Sequence, residues 1–478
     1  MTVPAIPAEI GNLVDGRFAP PASGGWLDKH RPADGTLLCR AARSGADDVA
    51  AAVAAARRAQ PEWAERTVVS RGDLLREIAL LMRERRGEIA EVVAAETGKS
   101  PALAIGEADA AIEMGLFVAG EGRRFYGRTT TASMPHRQVS AVRQPLGVAA
   151  LIISFNTPMP NIAWKVFPAL LCGNAAVLKP SEDTPASAHY FATACCEVGL
   201  PAGVLNVVQG LGSEAGAPLV EHPDVDLVSF TGSAATGRWI NEAAGRRLAK
   251  VCLELGGKNA LVVCDDADLD DAVHWALQSA FSNAGQRCAS ASRIVVFDAV
   301  YEEFRGRFVA GAREFPVDPV ISEPSLERVL DAVRRATEQG TSVLCGGERL
   351  AEPGWYVAPT VLEGADPAAD ISRSELFGPV TILYRAQDFE EALAIVNDSP
   401  YGLTAAIQTA SVHRAMRFAE KVEAGVVVVN GGTHGSEPHM GFGGVKQSGT
   451  GWREAGVEAL DVYSDWKYVH VVSDPSRV

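Results

Sequence analysis

A cysteine and a glutamate set the chemical question in this sequence. Cys288 lies in "NAGQRCASASR" (283–293), among Gly285, Gln286, Arg287 and Ser290, with apolar "IVVF" just after. Four fates compete for such a thiol: disulfide half, metal ligand, buried filler or nucleophile. A disulfide is disfavoured in a reducing compartment. No C-x-x-C pair and no zinc-spaced His accompanies it, so no metal site is expected. Small polar flanks suit an accessible thiol on a loop, whereas burial as a small hydrophobe is the commoner fate of cysteine. A nucleophile needs a depressed pKa or a nearby base. Glu254, in "LELGGKNA" (253–260), is the nearest candidate base in sequence, 34 residues upstream. Its apolar surroundings disfavour the charged form, which suits a general base near neutral pH; a salt-bridged acid at a strand end is the alternative. On these residues alone, nucleophile and filler both stay open for Cys288.

Other segments suggest a phosphate-bearing ligand. "SFTGSAATGR" (229–238) follows a strand-like run and opens a helix with Gly232 and Gly237. Ser233 and Ala234 then present backbone N–H groups at a helix start, where a pyrophosphate binds well; a plain strand–helix turn is the alternative. "AAVLKPSEDTP" (175–185) puts Lys179 at the end of an apolar strand, the end at which open α/β sheets bind ligands. Glu182 stands where it can accept from both hydroxyls of an adenosine ribose, which favours NAD over NADP; an exposed Lys and a helix-start Glu are the alternative. "GLGSEA" (210–215) fits a dinucleotide fingerprint only weakly and reads better as a turn. "ETGKS" (96–100) resembles the end of a P-loop, but Val93 stands where that motif needs glycine and a helix precedes it, so it is set aside.

The elements that position these residues alternate. Stretches 46–64, 70–98 and 109–122 read as helix, and the first 125 residues as helical overall, with Asp47 and Ser70 as caps and Gly98 closing the second helix. From residue 146, Val-, Ile- and Leu-rich runs at 146–154, 175–180, 203–209 and 225–232 alternate with helices at 184–199 and 234–245. That rhythm predicts a parallel sheet with crossover helices. A second series follows, with strands at 293–297, 380–386, 405–409 and 425–430 and helices at 268–282, 325–338, 389–397 and 411–421. Segments 123–145 and 460–472 are rich in strand formers without a local partner and are expected to pair with each other or with another subunit.

Bulk properties narrow the class. The 478 residues are 47% apolar and 22% charged, as in a soluble enzyme of two or three domains. The net charge is −15 and the 44 Lys and Arg residues are scattered, which argues against nucleic acid as a partner. Neither a leader-like start nor a long uncharged apolar run is present, so a cytoplasmic chain with no membrane association is expected. Cys172, Cys252, Cys264 and Cys345 sit in apolar text and read as filler.

Seven segments then fall into one order: "SFNTPMP" (154–160), "LKPSE" (178–182), "FTGS" with Gly237, "LELGGKN" (253–259), "GQRC" (285–288), "ELFGPV" (375–380) and "GFGGVKQSG" (441–449). Together they resemble the aldehyde dehydrogenase superfamily over nearly the whole chain. The resemblance implies an α/β fold: a Rossmann-like coenzyme-binding domain (1–122 and 146–253), an α/β catalytic domain (254–445), and a small β oligomerisation arm with tail (123–145 and 446–478). It implies a catalytic set of Cys288, Glu254, Asn156 and Lys179. Cys288 attacks the aldehyde as thiolate, the Asn156 amide and the Cys288 N–H hold the oxyanion, and Glu254 activates water against the thioester. Lys179 and Glu182 hold the adenosine ribose; Gly232, Ser233 and Gly237 belong to the pyrophosphate turn; Glu375 holds the nicotinamide ribose, and Phe377 packs beside the ring. NAD is the implied cofactor with NADP less favoured, a small aldehyde the substrate, and a homodimer or homotetramer the assembly. The pattern departs from the family at Phe155 (usually Trp), Gly441 (usually Pro) and Thr157 (often aromatic), and "GTGWREAG" carries an extra residue. His434 and His439 in a polar loop point to a pocket unlike one for simple aliphatic aldehydes. A CoA-acylating enzyme and a non-catalytic scaffold are the competing readings. The first usually lacks the glutamate at 254, and the second would be expected to lose Cys288 or Asn156.

Overall fold

The computed structural model describes residues 6–350 and 352–477. Two seven-stranded sheets organise it, each flanked by helices. In the first, Lys250–Glu254, Leu227–Thr231, Val148–Ile152, Ala175–Lys179 and Leu205–Val207 run parallel in that spatial order. Such strands are covered on both faces, which is why "VAALI" and "AAVLK" are buried at every position instead of alternating. Chain order reverses between Val148–Ile152 and Leu227–Thr231, which are neighbours although two strands separate them in sequence. The loops leaving those two strands open a crevice at their carboxyl ends, where ligands bind in open α/β sheets.

In the second sheet, Thr360–Glu363, Val380–Ala386, Ala291–Phe297, Asn259–Val263, Thr404–Gln408 and Val426–Val429 are parallel, and Ser342–Cys345 is an antiparallel edge. In the third, three-stranded sheet, Arg137–Pro145 pairs antiparallel with Ser464–Val472 on one side and Arg128–Thr131 on the other. The two partnerless segments of the sequence therefore pair with each other. The Arg143 guanidinium lies 4.3 Å from the Trp466 ring centroid and binds the arm to its own base.

Several details differ from the sequence reading, the caps among them: Gly45 and Thr67, not Asp47 and Ser70, precede the first two helices. The first 125 residues are not helical throughout, because Glu9–Ile10, Asn12–Val14, Arg17–Ala19, Trp26–His30 and Leu37–Ala42 are strands. The signal was local: Asp15-Gly16, both at positive φ, join Val14 to Arg17 in the two-residue turn that Asp-Gly favours. The helix expected over 70–98 is two helices, Val68–Glu84 and Arg86–Thr97, broken at Arg85, whose guanidinium turns to Glu197 at 2.6 Å. Gly98, left-handed at φ 74°, ends the second. Only Ser464–Val472 of the tail joins the arm sheet; Leu460, Val462 and Tyr463 pack into the core beside the first sheet. No helix among the described residues is long and apolar enough to cross a membrane.

Candidate active site

Cys288 follows an unusual turn. After the helix Leu269–Phe281, residues Asn283, Ala284 and Gly285 adopt φ of 56°, 52° and 66° in succession. Left-handed backbone at two non-glycine residues is strained and persists only where neighbours fix it. Here they do. Asn283 Nδ2 donates to the Gln286 carbonyl at 3.1 Å, the Ile321 N–H to Gln286 Oε1 at 2.9 Å, and Ser290 Oγ to the Gly285 carbonyl at 3.0 Å. Asn259 Nδ2 donates to the Cys288 carbonyl at 2.7 Å. The polar flanks of Cys288 thus lock the turn, and the residue they present is half-buried.

Cys288, Asn156, Glu254, Glu375 and Phe377 line one cavity of about 350 Å³, together with the Gly232–Ser233 turn. Asn156 and that turn come from the loops at the strand-order reversal of the first sheet; Cys288 and Glu375 come from the second. Asn161 Nδ2 donates to Asn156 Oδ1 at 3.3 Å, which occupies the amide oxygen and leaves the amide N–H groups for another acceptor. Lys179 and Glu182 lie outside this cavity, one strand over, with Nζ 3.2 Å from Oε2 at the carboxyl end of Ala175–Lys179. Gly237 is buried in the helix Ala234–Gly245, where a methyl group would overlap Leu255. Ser233 caps that helix by accepting from the Thr236 N–H.

The charges answer one question differently from the sequence. Burial, with Glu375 and Glu254 adding to it, pushes the Cys288 thiol up to about 12, and Arg287 opposes this only partly. The thiol is therefore neutral in the free chain. Glu254 is raised well above the usual carboxylate range by burial first and by Glu454 second, with Lys165 and Arg453 opposing. Neither of its oxygens has a hydrogen-bond partner among the described residues. Burial likewise raises Glu375 to about 7; it accepts from the Gly257 N–H at 3.2 Å.

Several polar residues at this site were not singled out in the sequence. Lys165 and Glu454 form an ion pair with neither side chain more than 1% exposed. A lysine inside the apolar helix "PMPNIAWKVFPALL" was the available signal, since a buried ammonium needs a partner. Lys258 Nζ donates to the Ser374 carbonyl at 2.9 Å and supports the Glu375 loop. Asn161, five residues after Asn156, carried no signal of its own. His434 is half-buried and is pushed down to about 4 by burial and by Arg287, so it is neutral; its Nε2 lies 3.3 Å from the Gln278 carbonyl. His439 is exposed beside Glu437. Phe155 meets Phe377 edge-on, with ring centroids 5.5 Å apart, so the aromatic at 155 packs against a residue held at φ 55°.

These residues fit a nicotinamide dinucleotide. A helix start and a strand-end Lys–Glu pair follow the carboxyl edge of the first sheet, and the Glu375 carboxylate, from the second, meets them beside Gly256. Relatives agree with that chemistry. The family model described as "Aldehyde dehydrogenase family" matches residues 18–469. The α-ketoglutarate semialdehyde dehydrogenase of Haloferax volcanii is 38% identical over 473 residues, covering 96% of this chain and 98% of that one. The NADP(+) succinate-semialdehyde dehydrogenase of Escherichia coli K12 is 36% identical, covering 96% of each. Betaine aldehyde dehydrogenase of Staphylococcus aureus, solved in complex with NAD+, superposes with a TM-score of 0.95 at 32% identity, over 97% of this chain and 95% of that one. The chain belongs to the aldehyde dehydrogenase family and is an NAD(P)-dependent enzyme that oxidises aldehydes to carboxylic acids.

Proposed function

We propose that Cys288 is the nucleophile, Glu254 the base and Asn156 the oxyanion donor of this oxidation. The observation that carries the assignment is their convergence on one cavity with Glu375 and Phe377. The neutral thiol gives its proton to Glu254, whose raised pKa makes it a strong acceptor. Sγ then bonds to the carbonyl carbon, and the π pair moves to oxygen, where the Asn156 amide and the Cys288 N–H receive it. A bound nicotinamide supplies the two-electron acceptor that turns this adduct into a thioester. Glu254 gives the thiol's proton to solvent and, as carboxylate again, takes a proton from water while the water oxygen bonds to the thioester carbon; the C–S bond breaks, that second proton returns to the Cys288 sulfur, and the acid leaves. Lys179, which closes the catalytic set read from the sequence, acts with Glu182 on the adenosine ribose, away from the reacting carbon. Glu182 gives NAD its preference over NADP. A base at 254 favours water over CoA as acceptor. The test is NADH formation from an aldehyde panel with and without CoA. Cys288→Ala abolishes turnover in a folded protein, and Glu254→Gln slows both thioester formation and its hydrolysis, so that single-turnover and steady-state NADH formation both fall. Full steady-state turnover in Glu254→Gln overturns the assignment of the base.

The proposed substrate is an aldehyde carrying a carboxylate. Arg287 directly precedes Cys288, lies among Glu107, Asp318 and His434, and makes no ion pair or side-chain hydrogen bond among the described residues; its Nε is buried without a partner. An unpaired guanidinium next to the nucleophile suits an anionic substrate. Semialdehydes of dicarboxylic acids are named for the relatives of H. volcanii and Bacillus subtilis, 38% and 35% identical. Arg287→Leu is expected to raise KM for an ω-oxo acid while leaving KM for the matching alkanal unchanged. Equal changes for both substrates contradict the carboxylate reading. A homo-oligomer assembled through the β arm and a cytoplasmic, reducing location for its free thiols complete the proposal.

A further inference from the structure

The segment "ETGKS", set aside as a phosphate loop, bears on the oxidation site in another way. Gly98 ends one helix in left-handed backbone, and Ser100 precedes the next, Pro101–Glu121. Lys99, between them, is turned inward with its side chain 2% exposed. Its Nζ donates to Glu107 Oε1, on the second turn of that next helix, and to the backbone carbonyl of Asn156. The same carbonyl accepts from Asn283 Nδ2 at 3.2 Å, and Asn283 belongs to the strained turn that presents Cys288. The carbonyl of residue 156 is therefore a junction. Through Asn283 it is tied to the nucleophile's turn, through Lys99 to two helices, while Asn161 fixes the amide oxygen of the same residue.

Stability is a poor explanation for this pair. Taking an ammonium and a carboxylate out of water costs more than their attraction returns unless every polar atom is satisfied, and Glu107 Oε2 is buried without a partner. Positioning is the better one. An oxyanion donor works when its N–H groups are already aimed at the place where charge develops, and small displacements of such a donor are costly to rate.

We propose that Lys99, with Glu107 as its counter-ion, is a positioning residue: by holding the Asn156 carbonyl it aims the Asn156 amide at the oxyanion formed on the Cys288 adduct. This rests on the reading of Asn156 as oxyanion donor.

The test is a double-mutant cycle on the full-length enzyme, with kcat and both KM values measured for aldehyde and NAD. Lys99→Met is expected to lower kcat by ~10- to 100-fold, the scale of a misplaced catalytic group, with each KM within about twofold. In an Asn156→Ala background, where no amide remains to aim, Lys99→Met is expected to change kcat by less than about twofold. An equal loss in both backgrounds overturns the proposal, as does an unchanged kcat in the single variant. If Lys99→Met does not fold, Glu107→Gln takes its place, with a smaller kcat loss that again disappears in the Asn156→Ala background; persistence of that loss overturns the proposal equally. An Asn156→Ala enzyme with the parent kcat overturns the oxyanion reading itself, a result distinct from failure of the cycle.

Discussion

Lys165 Nζ lies 2.7 and 2.8 Å from the two carboxylate oxygens of Glu454, and the pair sits against the cavity that Glu254 lines. Glu454 and Lys165 act on Glu254 in opposite directions, the first raising and the second lowering its pKa. In the role proposed for it, Glu254 acts as a base only when deprotonated, so deacylation is expected to rise with pH through its pKa. Glu454→Gln removes the repelling charge and leaves the Lys165 ammonium without its counter-ion, and both changes favour the Glu254 carboxylate. The pH at half-maximal deacylation is therefore expected to fall. The same variant is destabilised by about 3–5 kcal/mol, because a buried charge loses its partner. Rapid-mixing deacylation rates across pH, with thermal melts, check both; a limb that moves to higher pH contradicts the electrostatics.

A neutral thiol at Cys288 has a direct chemical signature. With the group pushed up to about 12, the thiolate fraction at neutral pH is small, and alkylation of the free enzyme by iodoacetamide is slow. Its rate is expected to climb roughly tenfold per pH unit up to about pH 10, without a plateau. Mass spectrometry of the digested protein separates residue 288 from Cys196, which is also half-buried. A plateau near neutral pH would show that some group depresses the thiol in the free chain.

Glu375 accepts from the Gly257 N–H, and its neighbour Gly256 has no room for a side chain: a methyl group there would overlap the Glu375 carboxylate. Gly256→Ala displaces that carboxylate, and KM for NAD is expected to rise about tenfold for the loss of one charge-assisted hydrogen bond. Alkylation of Cys288 is expected to be retained or to quicken, because the turn Asn283–Gly285 is held by other contacts and the displaced Glu375 carboxylate no longer opposes ionisation of the thiol as strongly. Loss of both properties would mean that the substitution disturbs the sheet and not only the Glu375 carboxylate.

How much of this the sequence carried depended on whether a residue's signal was local. Gly232 with Gly237, Lys179 with Glu182, and Gly285 through Cys288 sit at strand–helix junctions, where turn chemistry and apolar runs mark the boundary within a few residues. The early strands were missed because an Ala-rich helical stretch set the reading for the whole N-terminal region, although Asp15-Gly16 marked a hairpin. Lys165–Glu454 joins residues 289 apart, and Lys99 reaches a carbonyl 57 residues on. No periodicity reports such contacts; an isolated charge in an apolar run says only that some partner exists. The protonation of Cys288 was illegible for a related reason. Its flanks are polar, but the carboxylates that oppose its ionisation come from residues 254 and 375.

The arm sheet gives the remaining prediction. Its outer strands, Arg128–Thr131 and Ser464–Val472, have unpaired edges, and it exposes Tyr468 at 66%, Val472 at 64% and Met134 at 55%. Exposed apolar side chains on an open strand edge are a liability unless another chain covers them. The base of the arm is secured internally by Arg143 against Trp466, so charges placed on its outer strand need not unfold the domain. Tyr468→Glu combined with Val472→Glu is expected to shift the sedimentation coefficient toward that of a 50.4 kDa monomer while melting remains cooperative. Parental sedimentation by the double variant would rule out the arm as the assembly surface and leave its apolar face to be explained by some other contact.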